Sequence, residues 1–156
     1  ISADYMASKQ KCDGLKSNAK DICESEAKGT EKIAKAELES QYKPTPRNME
    51  KVGFAKADAA YDIAKEKCDD MAGNAKDVCV KDAKAAQVKA KEDAKVAKAS
   101  ADVNKANSEK VADDSQDSNK AKNEADYKAA KERCDALAGA PKDTCVNDAR
   151  AKFGMK

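Results

Sequence analysis

Three times the chain places two cysteines with ten residues between them, at Cys12/Cys23, Cys68/Cys79 and Cys134/Cys145. Each pair straddles a point where one helical pattern stops and another begins. Six cysteines spaced in this way in a small charged chain read as a disulfide framework rather than as scattered buried thiols. The segments around them are copies of one another. Tyr61–Ala83 and Tyr127–Ala149 share Tyr, Lys-Glu-x-Cys-Asp, Ala-Gly and Lys-Asp-x-Cys-Val-x-Asp-Ala in the same register, and Tyr5–Ala27 keeps Tyr5, Lys9, Cys12, Asp13, Lys20, Asp21, Cys23 and Ala27. Such self-similarity marks a duplicated supersecondary unit. The unequal connecting segments make it a string of hairpins rather than a strict solenoid.

In the second copy a helix running to Ala72 is expected to stop at Gly73, the residue type that best tolerates a left-handed helix end. Asn74 offers a capping oxygen for the next helix, and Asp77 suits its positive end. The third copy places Pro141 just after Ala140, and proline is favoured in a first helical turn, where its missing N–H costs nothing. The first copy has Ser17 where the others have glycine, with Asn18 as its cap. Cys68 lies five residues before Gly73 and Cys79 six after it, so at about 1.5 Å per residue the two reach nearly the same height on antiparallel helices. Axes roughly 10 Å apart, with Cα atoms about 2.3 Å off each axis, leave a gap near 5.4 Å, which suits a disulfide. Each bridge is therefore expected within its own hairpin, worth roughly 3 kcal/mol by the loop-entropy argument.

Metal and redox readings of the cysteines find no footing. Zinc sites use closely spaced cysteines or histidine, and this chain has no histidine. Cys-x-x-Cys redox and haem-attachment motifs are missing too. Disulfides imply an oxidising compartment, so a periplasmic or secreted location is expected. The first residue, Ile1, fits a processed N-terminus. No apolar run reaches the ~18 residues of a membrane span.

Composition then limits the core. Half of the 40% apolar content is alanine, and Leu, Ile, Val and Phe supply only 17 of 156 residues. A thick core is out of reach. The near balance of 31 basic and 29 acidic residues avoids the self-repulsion that accompanies disorder, and alanine and lysine favour helix. The expected fold is all-α: an elongated helical bundle of three disulfide-stapled antiparallel helical hairpins, with alanine seams inside and charge outside.

Two stretches punctuate it. Pro44 and Pro46 break the helical pattern in a linker at 43–48, after which Asn48 is expected to cap the next helix. Asp113 to Asn119 gathers weak helix formers and is read as a second break. The units are thus a first Cys hairpin at 1–42, the Pro linker at 43–48, a second hairpin with a long helix at 49–112, the break at 113–119 and a third hairpin at 120–156. The helices themselves are expected near 3–16, 19–42, 49–72, 75–112, 119–138 and 141–153. Val88, Val96, Val103 and Val111 form one stripe on the long helix, which a partner helix should cover. Tyr5, Tyr61 and Tyr127 each precede a cysteine by two helical turns and are expected to pack beside the bridges.

A catalytic reading has little to stand on. The commonest general base is absent, and no phosphate loop, nucleophile elbow or metalloprotease motif occurs. The paired carboxylates Asp69-Asp70 and Asp113-Asp114 read as solvated or helix-end charges. The acidic stretch from Asp113 to Asp117 lacks the glycine and terminal glutamate of an EF-hand loop. No enzyme, cofactor or metal is expected. A formal charge of +2 with interleaved signs gives no concentrated basic patch for nucleic acid. The most basic segment, Lys84 to Lys98, leaves weak lipid or polysaccharide contact open, although its plainer reading is a solvated face.

The unit Tyr-x3-Lys-x2-Cys-Asp-x-Leu/Met-x-Gly-x2-Lys-Asp-x-Cys at Tyr61–Cys79 and Tyr127–Cys145 resembles small exported Ala/Lys-rich helical proteins of proteobacteria, sometimes labelled TolA-like. The first copy departs from it at Lys16 and Ser17. This resemblance covers the hairpins and, with the exported-type cysteines and the absent catalytic groups, implies a non-catalytic structural, stress-related or binding role in the bacterial periplasm or cell envelope with an envelope protein as partner, while the repeated hairpins offer repeated docking faces for self-association. Segments such as Ala59–Lys67 are similar to the Ala/Lys/Glu repeats of late-embryogenesis-abundant proteins, which implies the alternative of a conditionally folded protective protein. A scavenger or carrier of a metal or cofactor in the seams between helices is a third expectation.

Overall fold

The structure, a computed structural model, describes residues 1–102 and 108–155, with the side chains of 108–111 set aside. Six helices follow one another: α1 (Ser2–Cys12), α2 (Ser17–Tyr42), α3 (Pro46–Cys68), α4 (Gly73–Asp102), α5 (Ser108–Cys134) and α6 (Ala140–Phe153). There is no strand among the described residues. The chain is all-α, with three disulfides joining Cys12 to Cys23, Cys68 to Cys79 and Cys134 to Cys145. Among the described residues no helix is long and apolar enough to cross a membrane.

Among the described residues each helix packs substantially only on its neighbours in sequence, so the helices form one open antiparallel layer rather than a closed bundle. Cross-helix ion pairs line the three seams between the long helices. Lys32–Asp62 and Lys51–Glu39 join α2 to α3, Lys91–Asp58 and Lys98–Glu50 join α3 to α4, and Lys89–Asp126 and Lys81–Glu132 join α4 to α5. Such exposed pairs contribute little energy each.

Among the described residues the buried apolar ones are all alanines or cysteines, and the fully buried large side chains are Cys12, Cys68 and Cys134. Small side chains let the axes approach closely. A methyl on Gly29 would sit 2.8 Å from Ala59 Cβ, and one on Gly53 2.6 Å from Ala94 Cβ. On the seam between α4 and α5, Ala85, Ala125 and Ala129 form a small cluster with Val88 packed against it. Val96 is half-buried. Val103 and the side chain of Val111 lie outside the described residues, so the valine stripe is defined only in its first half.

Three expectations need correction. Residues 113–119 are helical, inside α5. Asp, Ser and Asn cost only a few tenths of a kcal/mol each in a helix, and packing overrides that, for Ser118 is buried and donates to Glu92 Oε2 at 3.0 Å. The long helix ends at Asp102 rather than at 112, residues 108–112 belong to α5, and 103–107 lie outside the described residues. The Pro linker is shorter than 43–48. Pro46 opens α3, and the cap is Thr45, whose Oγ1 accepts from Asn48 N at 3.2 Å. Proline has no N–H to lose there. Asn48 is instead buried, its Nδ2 donating to Lys43 O at 2.9 Å.

Candidate functional site

The three disulfide turns share one construction. In each, the first helix ends on its cysteine, the next residue donates back into the last turn (Asp13 N to Gln10 O, Asp69 N to Glu66 O, Asp135 N to Glu132 O), and the third donates to the cysteine carbonyl. Those last bonds, from Leu15, Met71 and Leu137, are all 3.0 Å. The cysteine Cα atoms stand 5.6, 5.7 and 5.7 Å apart. In each pair the first cysteine is buried and the second half-buried.

The first helix of every hairpin stops four residues earlier than its sequence pattern predicts, at Cys12, Cys68 and Cys134 rather than at 16, 72 and 138. Glycine in these turns does not close the first helix. Gly73 and Gly139, at φ +57° and +62°, stand at the start of the second helix, where the chain swings from the turn into α4 and α6. Ser17 occupies the same place at φ +50°, the single non-glycine residue with positive φ among those described. A side chain in that region costs on the order of 1 kcal/mol. Asn18 does not cap α2. No side chain caps that helix, and both amide atoms of Asn18 are buried without a hydrogen-bond partner.

Electrostatics separates the copies further. Asp69 pairs with Lys76 and Asp135 with Lys142, both at 2.8 Å. The lysine hydrogen bond holds each carboxyl below its ordinary value and raises the lysine above its own. The equivalent Asp13 and Lys20 form no ion pair.

The tyrosines occupy equivalent half-buried positions. Lys84 stands over the Tyr61 ring at 5.1 Å, and Arg150 Nε donates to Tyr127 Oη at 3.4 Å. Both cations lie five residues after the second cysteine, as does Lys28 in the first copy, which pairs with Glu24 instead of Tyr5. Sequence reasoning passed over this basic position, although its recurrence in all three copies was the available signal.

It also passed over the apolar residue of each turn. Leu15, Met71 and Leu137 stand three residues after the first cysteine and are 41%, 47% and 45% exposed. Because neighbouring helices are antiparallel and the turns alternate, all three lie at one end of the layer, each roughly 16–20 Å from the next across two helix spacings. A row of three apolar side chains is presented there, each close in sequence to a bridged cysteine and, in the second and third turns, near an ion pair. The opposite end carries Tyr42, 82% exposed, with Leu38 and Met49 nearby on α2 and α3.

The basic segment from Lys84 to Lys98 is largely engaged within the fold. Lys89, Lys91 and Lys98 bridge to Asp126, Asp58 and Glu50, Lys95 pairs with Glu92, and Lys84 donates to Gln87 at 2.8 Å. Among the described residues no group of three or more His, Cys, Asp or Glu side chains is placed to hold a metal ion.

The fold and this end together define a disulfide-stapled helical layer that presents repeated turns. No protein-family model, curated protein or solved structure matches the chain.

Proposed function

We propose that this protein is a non-catalytic structural or binding component of the bacterial periplasm or cell envelope, and that it meets its partner, an envelope protein, through the stapled end. The observation that carries the reading is the recurrence of an exposed apolar residue, Leu15, Met71 and Leu137, at the same place in three turns. Single exposed apolar residues need no explanation. Three in equivalent positions on one edge of a chain with 17 Leu, Ile, Val and Phe residues are a costly use of scarce apolar area. The three bridges, of a kind that persists in oxidising surroundings, support the compartment named in this reading, and the motif's resemblance to exported Ala/Lys-rich proteins points the same way.

The test places a photoreactive side chain at 15, 71 or 137, with 42 at the far end as control, in cells that export the protein. The expected result is one adduct of common mass from the three turn positions and none from 42. Adducts from 42 alone, or none from any position, would overturn the assignment of the stapled end. An adduct of twice the protein's own mass would replace the envelope partner with a second copy.

A further inference from the structure

The three bridges close rings of the same size, span the same Cα distance and bury their cysteines alike. What differs is the rest of the structure that holds each pair together. Around Cys68–Cys79, α3 and α4 are each packed on two neighbours, meet closely at Gly53 and Ala94, and are joined by Asp58 with Gln87 and Lys91 and by Glu50 with Lys98. Around Cys134–Cys145, α6 among the described residues packs substantially on α5 only, but Arg150 reaches Tyr127, Lys142 pairs with Asp135, and Gly139 takes the left-handed position without strain. Around Cys12–Cys23 none of this is present. α1 is 11 residues long and, among the described residues, packs substantially on α2 only, with no side-chain hydrogen bond or ion pair joining the two. Ser17 carries the strained φ, and the Asn18 amide is buried unpartnered. A helix this short does not persist in water without tertiary support.

A disulfide resists reduction to the extent that the surrounding fold keeps its thiols together. We infer that Cys12–Cys23 is a thiol-responsive latch: a dithiol reductant opens this bridge first and releases α1 from α2, while the layer from α2 to α5 stays folded. One thiolate of the dithiol attacks the half-buried Cys23 sulfur, the S–S bond breaks, and the Cys12 thiolate leaves and takes a proton. The second thiol of the reductant then displaces the Cys23 thiolate, which is protonated in turn. The reductant ends as a disulfide and the protein gains two electrons and two protons. α1, freed, uncovers Cys23 and the N-terminal part of α2.

The full oxidised protein is titrated with dithiothreitol, quenched with iodoacetamide and mapped by peptide mass, with amide hydrogen exchange recorded in parallel. The expected result is a two-label species carrying both labels at Cys12 and Cys23, accumulating before any other, with protection lost in α1 and retained in α3 and α4. Labels appearing first at Cys68 and Cys79, or at all six cysteines together, would overturn the latch. So would retained protection of α1 in the two-label species. Ser17→Gly provides an independent check without disturbing the bridge. Relief of the strained φ should raise the dithiothreitol concentration needed to open Cys12–Cys23 by about fivefold and leave the other two unchanged. An unchanged order and midpoint in that variant would count against the proposed cause.

Discussion

The first and second hairpins come from one copied segment and keep the same bridge, the same turn bonds and the same exposed apolar residue, yet they are held by different means. Cys68–Cys79 sits inside a seam already fixed by close packing and polar pairs. Cys12–Cys23 is the principal tie between α1 and the rest of the chain. The contrast shows that a repeated covalent staple can reinforce a cooperative layer in one place and serve as a local tether in another, according to the non-covalent contacts around it.

Removing each bridge in turn gives the largest break in this comparison. Cys68→Ala with Cys79→Ala should lower the global unfolding free energy by about 3 kcal/mol, since the loop entropy it removes belongs to the cooperative layer. Cys12→Ala with Cys23→Ala should lower it by less than about 1 kcal/mol, because α1 detaches as a local event. Urea unfolding followed by circular dichroism measures both, and equal losses would erase the distinction. Next in size, Gly53→Ala should cost about 1–3 kcal/mol by overpacking against Ala94. Gly14→Ala, in the first turn with open space around it, should stay within about 0.5 kcal/mol of the parent in the same assay.

Smaller effects sharpen the turns themselves. Ser17→Gly should stabilise the start of α2 by about 1 kcal/mol, and Gly73→Ser should destabilise the start of α4 by about as much, read from amide exchange at those helix ends. The smallest effect is acidic loosening. Asp69 and Asp135 titrate below the ordinary carboxylate value because Lys76 and Lys142 hydrogen-bond them. The stability they contribute is therefore complete above that ordinary value and disappears as pH falls through the lowered one. Carboxyl chemical shifts of Asp69 and Asp135 followed through acid pH should titrate low, and Lys76→Gln and Lys142→Gln should each return the partner to the ordinary range.

How much of this was readable in advance follows from the range of each interaction. Cysteine pairing was legible because it depends on residue counts either side of a turn, which sequence records directly. The turn was misread by four residues at each first helix, because glycine serves helix starts as well as helix ends and its identity does not say which. The break at 113–119 failed for a related reason. Local propensity disfavours Asp113 to Asn119 only weakly, and Ser118 meets Glu92 across a seam that no local rule describes. The same limit hid the candidate site. Leu15, Met71 and Leu137 stood in the repeated motif, but their exposure on a common edge depends on the antiparallel order of all six helices.

The alignment of the bridges along that edge has a mechanical consequence. Cys23, Cys68, Cys79 and Cys134 lie near one level of the four long helices, yet the bridges tie α1 to α2, α3 to α4 and α5 to α6 and leave the α2–α3 and α4–α5 seams unbridged. From Cys23, α2 runs on for nineteen residues to Tyr42, a lever of about 28 Å, and beyond the staples its motion is restrained by alanine contacts and exposed ion pairs. At its far end residues 43–45 join α2 directly to α3, so compliance lies in the unbridged seams and not at that end. Each hairpin can therefore shift as a unit against the next, the spacing of the three turns is held by packing between hairpins, and thermal displacement is expected to be greatest in α1, which one bridge and one short seam hold.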